Sequence, residues 1–466
     1  MTGRVRVRFL DTRPLRGSQS FRDLWIGTSV SQVGGQMANV AVLAQVWDLT
    51  GSPAGTGAIG LATGLPMVLF GLLGGTLADT FDRRAVVRAT TAGQLLAAAG
   101  MCAQALSDNR DVLLLLALVA LGTGCGALGA PARRTFPVRL LPGDQVAAGL
   151  ALTNVSFQAA MLAGPALAGL IIARWGLPAA YATQAVAMAV SALALIRLPA
   201  IRPEGTDAAG SRRRPERGGR RIVLRRPALW GSMATDLSAT LLAMPVALFP
   251  LVNEMRFGGN PQTLGLFLSA VAVGGITAGL LSGTVTRRRR GGLVQLSAAG
   301  LWGLALACFG LAGPLWLALG CLAVAGAADT VSVVTRSALV QLETPDGYRG
   351  RVSSVEHVIG VAGPELGNFR GGLLASATSA PFSLVFGGLS AILAVAAVAA
   401  VNTPLRAYRM PPAAAKPTVP GAADATTAGQ VPDQPPGGGE FTVRRSPRRA
   451  GRVRGGRWRP TGGRGR

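Results

Sequence analysis

Twelve membrane-spanning helices, arranged as two pseudo-symmetric bundles of six, are the all-α fold this sequence predicts. Three observations predict it. The 466-residue chain is 49% hydrophobic with only 14% charged residues, and its mean hydropathy is +0.40, a balance foreign to a soluble domain. Apolar runs of about 20 residues recur along it, each long enough to cross a hydrocarbon layer of ~30 Å. The turns between these runs alternate between arginine-rich and arginine-poor. Helix is the expected form, because lipid offers a backbone no hydrogen-bond partners.

The first half follows a basic cytoplasmic segment, 1–20. Span 1 (22–47) carries Gln32, Gln36 and Asn39 at i, i+4, i+7 spacing, which places the three amides on one helix face. Its length and the want of a cleavage signal separate it from a signal peptide. Span 2 (55–78) is rich in glycine and runs through Gly75 to Asp79, Arg83 and Arg84 at the membrane boundary. Spans 3 (85–106) and 4 (112–131) come next, the latter closed by Arg133, Arg134 and Arg139. Span 5 (149–173) holds Asn154 and Gln158 one turn apart, then Gly164, Pro165 and Gly169. Small residues there permit close helix contact, and the proline removes a backbone hydrogen bond and bends the helix. Span 6 (177–199) completes a bundle over 21–200.

Residues 201–227 hold nine arginines among Pro and Gly and break the apolar pattern, so they read as a cytoplasmic basic linker. The second bundle, 228–402, contains spans 7 (228–252), 8 (262–285), 9 (292–311), 10 (315–338), 11 (354–376) and 12 (381–401). Matching strings support a parallel repeat. Ala-Gly-Pro-Ala-Leu-Ala-Gly at 163–169 in span 5 answers Ala-Gly-Pro-Glu-Leu-Gly-Asn at 362–368 in span 11, and the sequence from Arg134 answers that from Arg336. Gly283 to Arg287 echoes Gly75 to Asp79, with the acid replaced by arginine.

The formal charge of +25 is placed on one side. Arginines 83, 84, 88, 133, 134, 139, 287–290, 349, 351 and those of the linker come after even-numbered spans, against Arg110, Arg174 and Arg256 on the other side. This asymmetry predicts a cell-membrane protein with both termini in the cytoplasm. Residues 403–466, with 13 Lys+Arg against Asp424, Asp433 and Glu440, have too little apolar surface to fold. They read as a disordered tail held at an anionic inner leaflet rather than on nucleic acid. Cys102, Cys125, Cys308 and Cys321 fall within spans at unpaired spacing and read as packing residues, not as disulfides or a metal site. His357 carries no role.

Charged groups at mid-membrane need a reason, because burial of a charge in lipid is costly. Asp236 lies roughly 12–13 Å inside span 7, Asp329 roughly 13 Å inside span 10 and Glu365 about 16 Å inside span 11. With the amides of spans 1 and 5 they form a candidate polar cavity, able to bind a substrate and to exchange protons. Hydrogen bonding between helices is the alternative for each acid. Arg336, two turns from Asp329, is a candidate ion-pair partner for it or a snorkelling residue. Arg370 either faces the cavity or snorkels to the outer surface.

Gly75, Asp79, Arg83 and Arg84 resemble the loop between helices 2 and 3 of the major facilitator superfamily, with Asp82 standing where that family usually has glycine. The resemblance implies a cytoplasmic gate at these residues. Gly164, Pro165 and Gly169 are similar to the helix 5 motif of its proton-driven exporters. Asp329, Arg336, Gln341, Pro345, Arg349 to Val352 and Glu365 to Gly367 look like the enterobactin-exporter-like branch, as does Gln45 to Ser52. The chain differs from that branch at Gly363, Pro364, Asn368 and Arg370. Together these likenesses imply an exporter of a small organic molecule, siderophore-like or drug-like, driven by protons through alternating access and acting as a monomer. A broad multidrug:proton antiporter and a non-transporting membrane sensor of the same fold remain open. No nucleophile–base pair, metal cluster or phosphate loop points to an enzyme, and no cofactor is expected.

Overall fold

The computed structural model describes residues 11–196, 198, 225–281, 290–344 and 349–410. Each regular element among them is a helix: α1 (Gln19–Thr50), α2 (Pro53–Thr80), α3 (Arg83–Leu106) and α4 (Val112–Arg134) open the chain. The helical run Val146–Ile196 folds back at Gly176, whose φ of 78° favours glycine, and so divides into α5 (146–175) and α6 (177–196). The second half holds α7 (Pro227–Ala243), α8 (Phe249–Phe257), α9 (Pro261–Leu280), α10 (Gly291–Leu311), α11 (Leu315–Glu343), α12 (Arg349–Ala377) and α13 (Ala380–Val401).

Local chemistry sets these boundaries. Ser18, Ser52, Asp82, Asp111, Asn260 and Ser379 each cap a helix start by accepting a backbone N–H. Pro53, Pro227 and Pro261 occupy first-turn positions that need no donor. Gly51 and Gly258 end α1 and α8 in the left-handed conformation.

Eight stretches are long and apolar enough to cross a membrane by length and composition, one of them the folded-back 143–196. The helices α1, α3 and α12, of 32, 24 and 29 residues, have the length but carry more polar side chains. Twelve crossings fit this set. Several helices overrun the expected spans, α1 by three residues at each end and α12 by five at its start.

Span 7 is where the structure departs from a single run over 228–252. It is broken between α7 and α8, with a 3-10 turn at Val246–Leu248. Pro245 supplies no N–H, and its ring crowds the carbonyl of Leu241. Two α12 side chains satisfy the groups left over. Arg370 donates through Nε to the Leu241 carbonyl at 3.0 Å and through Nη2 to the Leu242 carbonyl, and the Ala247 N–H donates to Asn368 Oδ1 at 3.2 Å.

The two bundles pack within one compact unit along two seams. In one, α2 lies on α12: a Cβ added at Gly57 would sit 3.1 Å from the Asn368 carbonyl oxygen, and one at Gly64 2.7 Å from Glu365 Cβ. In the other, α5 lies on α9, where Gly169 backs onto Pro261 and Gln262, Gly265 faces the Pro165 carbonyl, and Ser269 Oγ donates to the Leu162 carbonyl at 3.0 Å. These seams exchange under the repeat seen in the sequence, span 2 with 8 and span 5 with 11. Both gather at the end of the molecule that holds the arginine-poor turns. Thr56 Oγ1 donates to the Ala247 carbonyl there at 2.7 Å, and Trp47 Nε1 donates to Glu254. A cluster of edge-to-face rings, Phe249, Phe257, Phe267 and Phe309, fills the second bundle near that end. The linker residues 201–224 and the tail from 411 lie outside the described residues.

Candidate functional site

Three helices of the second bundle converge on one buried arginine. Arg336, on α11, forms an ion pair through Nη1 with Asp236 Oδ2 of α7, and its Nε lies 3.4 Å from Glu356 Oε1 of α12. Side-chain exposure is 8% for Arg336, 6% for Asp236 and 16% for Glu356, so water screens these charges weakly. Ser337 Oγ donates to the same Glu356 oxygen at 3.0 Å. Asp236 stands on α7 one turn from Ser232, which hydrogen-bonds Gln295 of α10 through its hydroxyl at 2.8 Å and fixes that face of the helix.

Arg336 therefore meets Asp236 and Glu356 instead of forming the ion pair with Asp329 that their shared helix face suggested. Asp329 lies two turns away, within electrostatic reach of Asp236 and Arg336, and has no hydrogen bond or ion pair among the described residues. Two carboxylates thus share one guanidinium, with a third, Asp329, within electrostatic reach. Glu356 is the member the sequence reading missed. Hydropathy starts span 11 at 354 and leaves Glu356 on its rim, whereas the helix starts at Arg349 and carries Glu356 two turns inward.

The remaining cavity candidates disperse. Glu365 belongs to the α2–α12 seam, beside the Thr63 hydroxyl and the Asn368 side chain. Gln36 packs its Cβ where Gly164 leaves room, so Gly164 serves the α1–α5 contact. Asn39 donates to Gln36 Oε1 at 3.3 Å, Gln32 has a buried Oε1 without a hydrogen-bond partner, and Asn154 is exposed while Gln158 is half-buried. Pro165 and Gly169 serve the α5–α9 seam. Arg370, half-buried, caps the carbonyls at the α7 break.

At the arginine-rich end, Asp82 caps α3 by accepting the Arg84 N–H at 3.0 Å. Arg84 and Arg88 reach the final carbonyls of α6, Arg84 Nη2 to Ile196 at 3.2 Å and Arg88 Nε to Leu195 at 3.0 Å. Cations at a helix C-terminus are favourable there. Arg83 opens α3 beside them. A Cβ at Gly75 would meet nothing within 4 Å, and it is Gly74 that admits a neighbour, the Leu128 carbonyl of α4 at 2.7 Å. Asp79 lies in the last turn of α2, and its side chain is outside the described residues. Across the halves, His357 of α12 is within electrostatic reach of Arg134 of α4.

A family model described as transmembrane secretion effector matches residues 12–423. The enterobactin exporter EntS of Citrobacter koseri is 28% identical over 414 residues, covering 85% of this chain and 95% of that protein. Among solved structures, a POT family transporter in complex with 5-aminolevulinic acid superposes with a TM-score of 0.66 at 10% identity, over 83% of this chain and 97% of that one. A bacterial homologue of the iron transporter ferroportin in its inward-facing state gives a TM-score of 0.61 at 16% identity, over 83% and 98%.

Proposed function

The chain belongs to the transmembrane secretion effector family of the major facilitator superfamily, and we propose that it exports a small organic molecule across the cell membrane, coupled to proton entry. The related exporter's printed substrate makes enterobactin the first compound to test. The arginine-rich end faces the cytoplasm on this reading, because positive residues are retained on that side. Both glycine seams are closed at the other end, so on this reading cargo would enter from the cytoplasmic side.

The observation that carries proton coupling is the buried Asp236–Arg336–Glu356 cluster with Asp329 beside it. Three carboxylates around one cation leave excess negative charge in a weakly screened interior, and taking up a proton relieves it. Release to the cytoplasm, after entry from outside, would be driven by the membrane potential at about 2.3 kcal/mol per charge per 100 mV. Asp79, Arg83 and Arg84 are the gate residues that would stabilise the opposite, outward-open state.

Proteoliposomes loaded with enterobactin and given an imposed pH gradient test this directly. Wild-type protein is expected to move enterobactin with a measurable proton counterflux, while Asp236→Asn and Asp329→Asn each abolish the counterflux. A proton:substrate ratio that survives both changes would rule out the assignment. Extrusion of several unrelated dyes in the same assay would point to a broad drug specificity in place of a siderophore.

A further inference from the structure

The guanidinium of Arg336 is divided between two helices. Nη1 faces Asp236 on α7, while Nε faces Glu356 on α12, whose same oxygen accepts the Ser337 hydroxyl. The ion pair is therefore a three-membered competition, and the third member is anchored by a hydroxyl one residue along from the arginine itself. We propose that Glu356 is a positioning residue that competes with Asp236 for Arg336 and thereby sets how readily Asp236 takes up a proton. The inference rests on the proton-coupling reading above and deepens it.

The charges around Asp236 define the sign. Asp329 and Arg336 reach it from α11, and Glu356 from α12, where the adjoining His357 is within electrostatic reach of both Glu356 and Arg134 of α4. The helices α10 and α13, which also pack on α7, bring no charged side chain along their spanning lengths, and Gln295 of α10 is occupied by Ser232. Protonated Asp236 releases its hold on Nη1, and Glu356 keeps the freed guanidinium in place instead of letting it swing to Asp329. Without the Glu356 charge, Arg336 belongs to Asp236 alone and a negative neighbour disappears. Both effects favour ionised Asp236, so it protonates only at lower pH.

Titration of the purified full chain in lipid nanodiscs, tracked by the infrared band of protonated carboxyl groups, reads this without any substrate. The component removed by Asp236→Asn reports Asp236. In Glu356→Gln its midpoint is expected to fall by about one pH unit, a tenfold loss of proton affinity, and Glu356→Asp, which keeps the charge, is expected to return it toward the wild-type value. Should Glu356→Gln fail to insert, Ser337→Ala releases Glu356 from its anchor and is expected to shift the midpoint in the same direction by less. A role confined to holding helices together would lower the yield of folded protein and leave the midpoint where it was. An unmoved midpoint in folded Glu356→Gln, or in Ser337→Ala where that is the variant that folds, overturns the inference. If instead Asp236→Asn removes no titrating component, the coupling reading itself fails, a separate outcome.

Discussion

Among the described residues Arg336 is the cation that pairs with Asp236 and Glu356, and its removal exposes how the cluster is balanced. A buried pair adds little net stability over apolar packing, but breaking one by deleting a partner strands the other charge. Arg336→Gln is therefore expected to lower the unfolding free energy of the purified protein by about 3–5 kcal/mol. Adding Asp236→Asn should recover part of that loss, because one of the stranded charges is then gone while that of Glu356 remains. Chemical unfolding in detergent measures both, and a loss below about 1 kcal/mol in the single variant would mean that Arg336 is hydrated and the cluster open. The same logic explains why the sequence revealed the charges and not their partners. Asp236, Asp329 and Arg336 stand out because an apolar background makes any charge visible. Their pairing depends on which faces of α7, α11 and α12 meet, and that is decided by packing between segments some 20 to 120 positions apart, as from Glu356 to Arg336 and Asp236.

At the scale of elements, the broken seventh span shows a substitution pattern acquiring a purpose. Asn368 and Arg370 are two of the positions where this chain differs from the enterobactin-exporter-like pattern, and both satisfy backbone groups freed at the α7–α8 break. Hydrogen bonds from a charged donor to carbonyls that have no other partner contribute about 1.5–3 kcal/mol. Arg370→Gln should accordingly lower the apparent melting temperature, and Arg370→Lys should restore only part of it, since an ammonium cannot span two carbonyls with a planar fork. Equal melting of all three proteins would show the carbonyls to be served by water. The elements themselves were legible where chemistry is local. Capping by Ser52, Asp111, Asn260 and Ser379 marks helix starts, and the apolar runs mark the crossings because lipid forces helices to be long and nonpolar. The break was not legible from hydropathy, which averages over Pro245 and Pro250, although those two prolines carried the signal. Glu356 escaped for a similar reason, as a polar first turn makes α12 look shorter than it is.

For the whole molecule, the glycine seams and the open Gly75 make opposite demands on the transport cycle. A Cβ at Gly60 would collide with the Glu365 carbonyl of α12, and one at Gly265 with the Pro165 carbonyl of α5. Both obstacles are backbone, so neither seam can stay shut around a larger side chain without displacing a helix. Once that end opens, the same side chain has room. Gly60→Leu should therefore shift the population toward the state open at the arginine-poor end. A full reversal from 1:99 to 99:1 needs about 5.5 kcal/mol of difference between states. Gly75 has the reverse character: among the described residues nothing lies within 4 Å of a Cβ built there, and a gate closing over it would meet any added side chain. Gly75→Leu should then hold the molecule in the present state. Spin labels on Asn109→Cys and Gly313→Cys, in the α3–α4 and α10–α11 turns of opposite halves, report this separation in a background free of native cysteines. Their distance is expected to lengthen in Gly60→Leu and to lose any longer population in Gly75→Leu. Identical distance distributions in all three proteins would remove the rocking of two bundles about these seams. Opposed shifts are what rocking requires, because a rigid half that opens at one end has to close at the other.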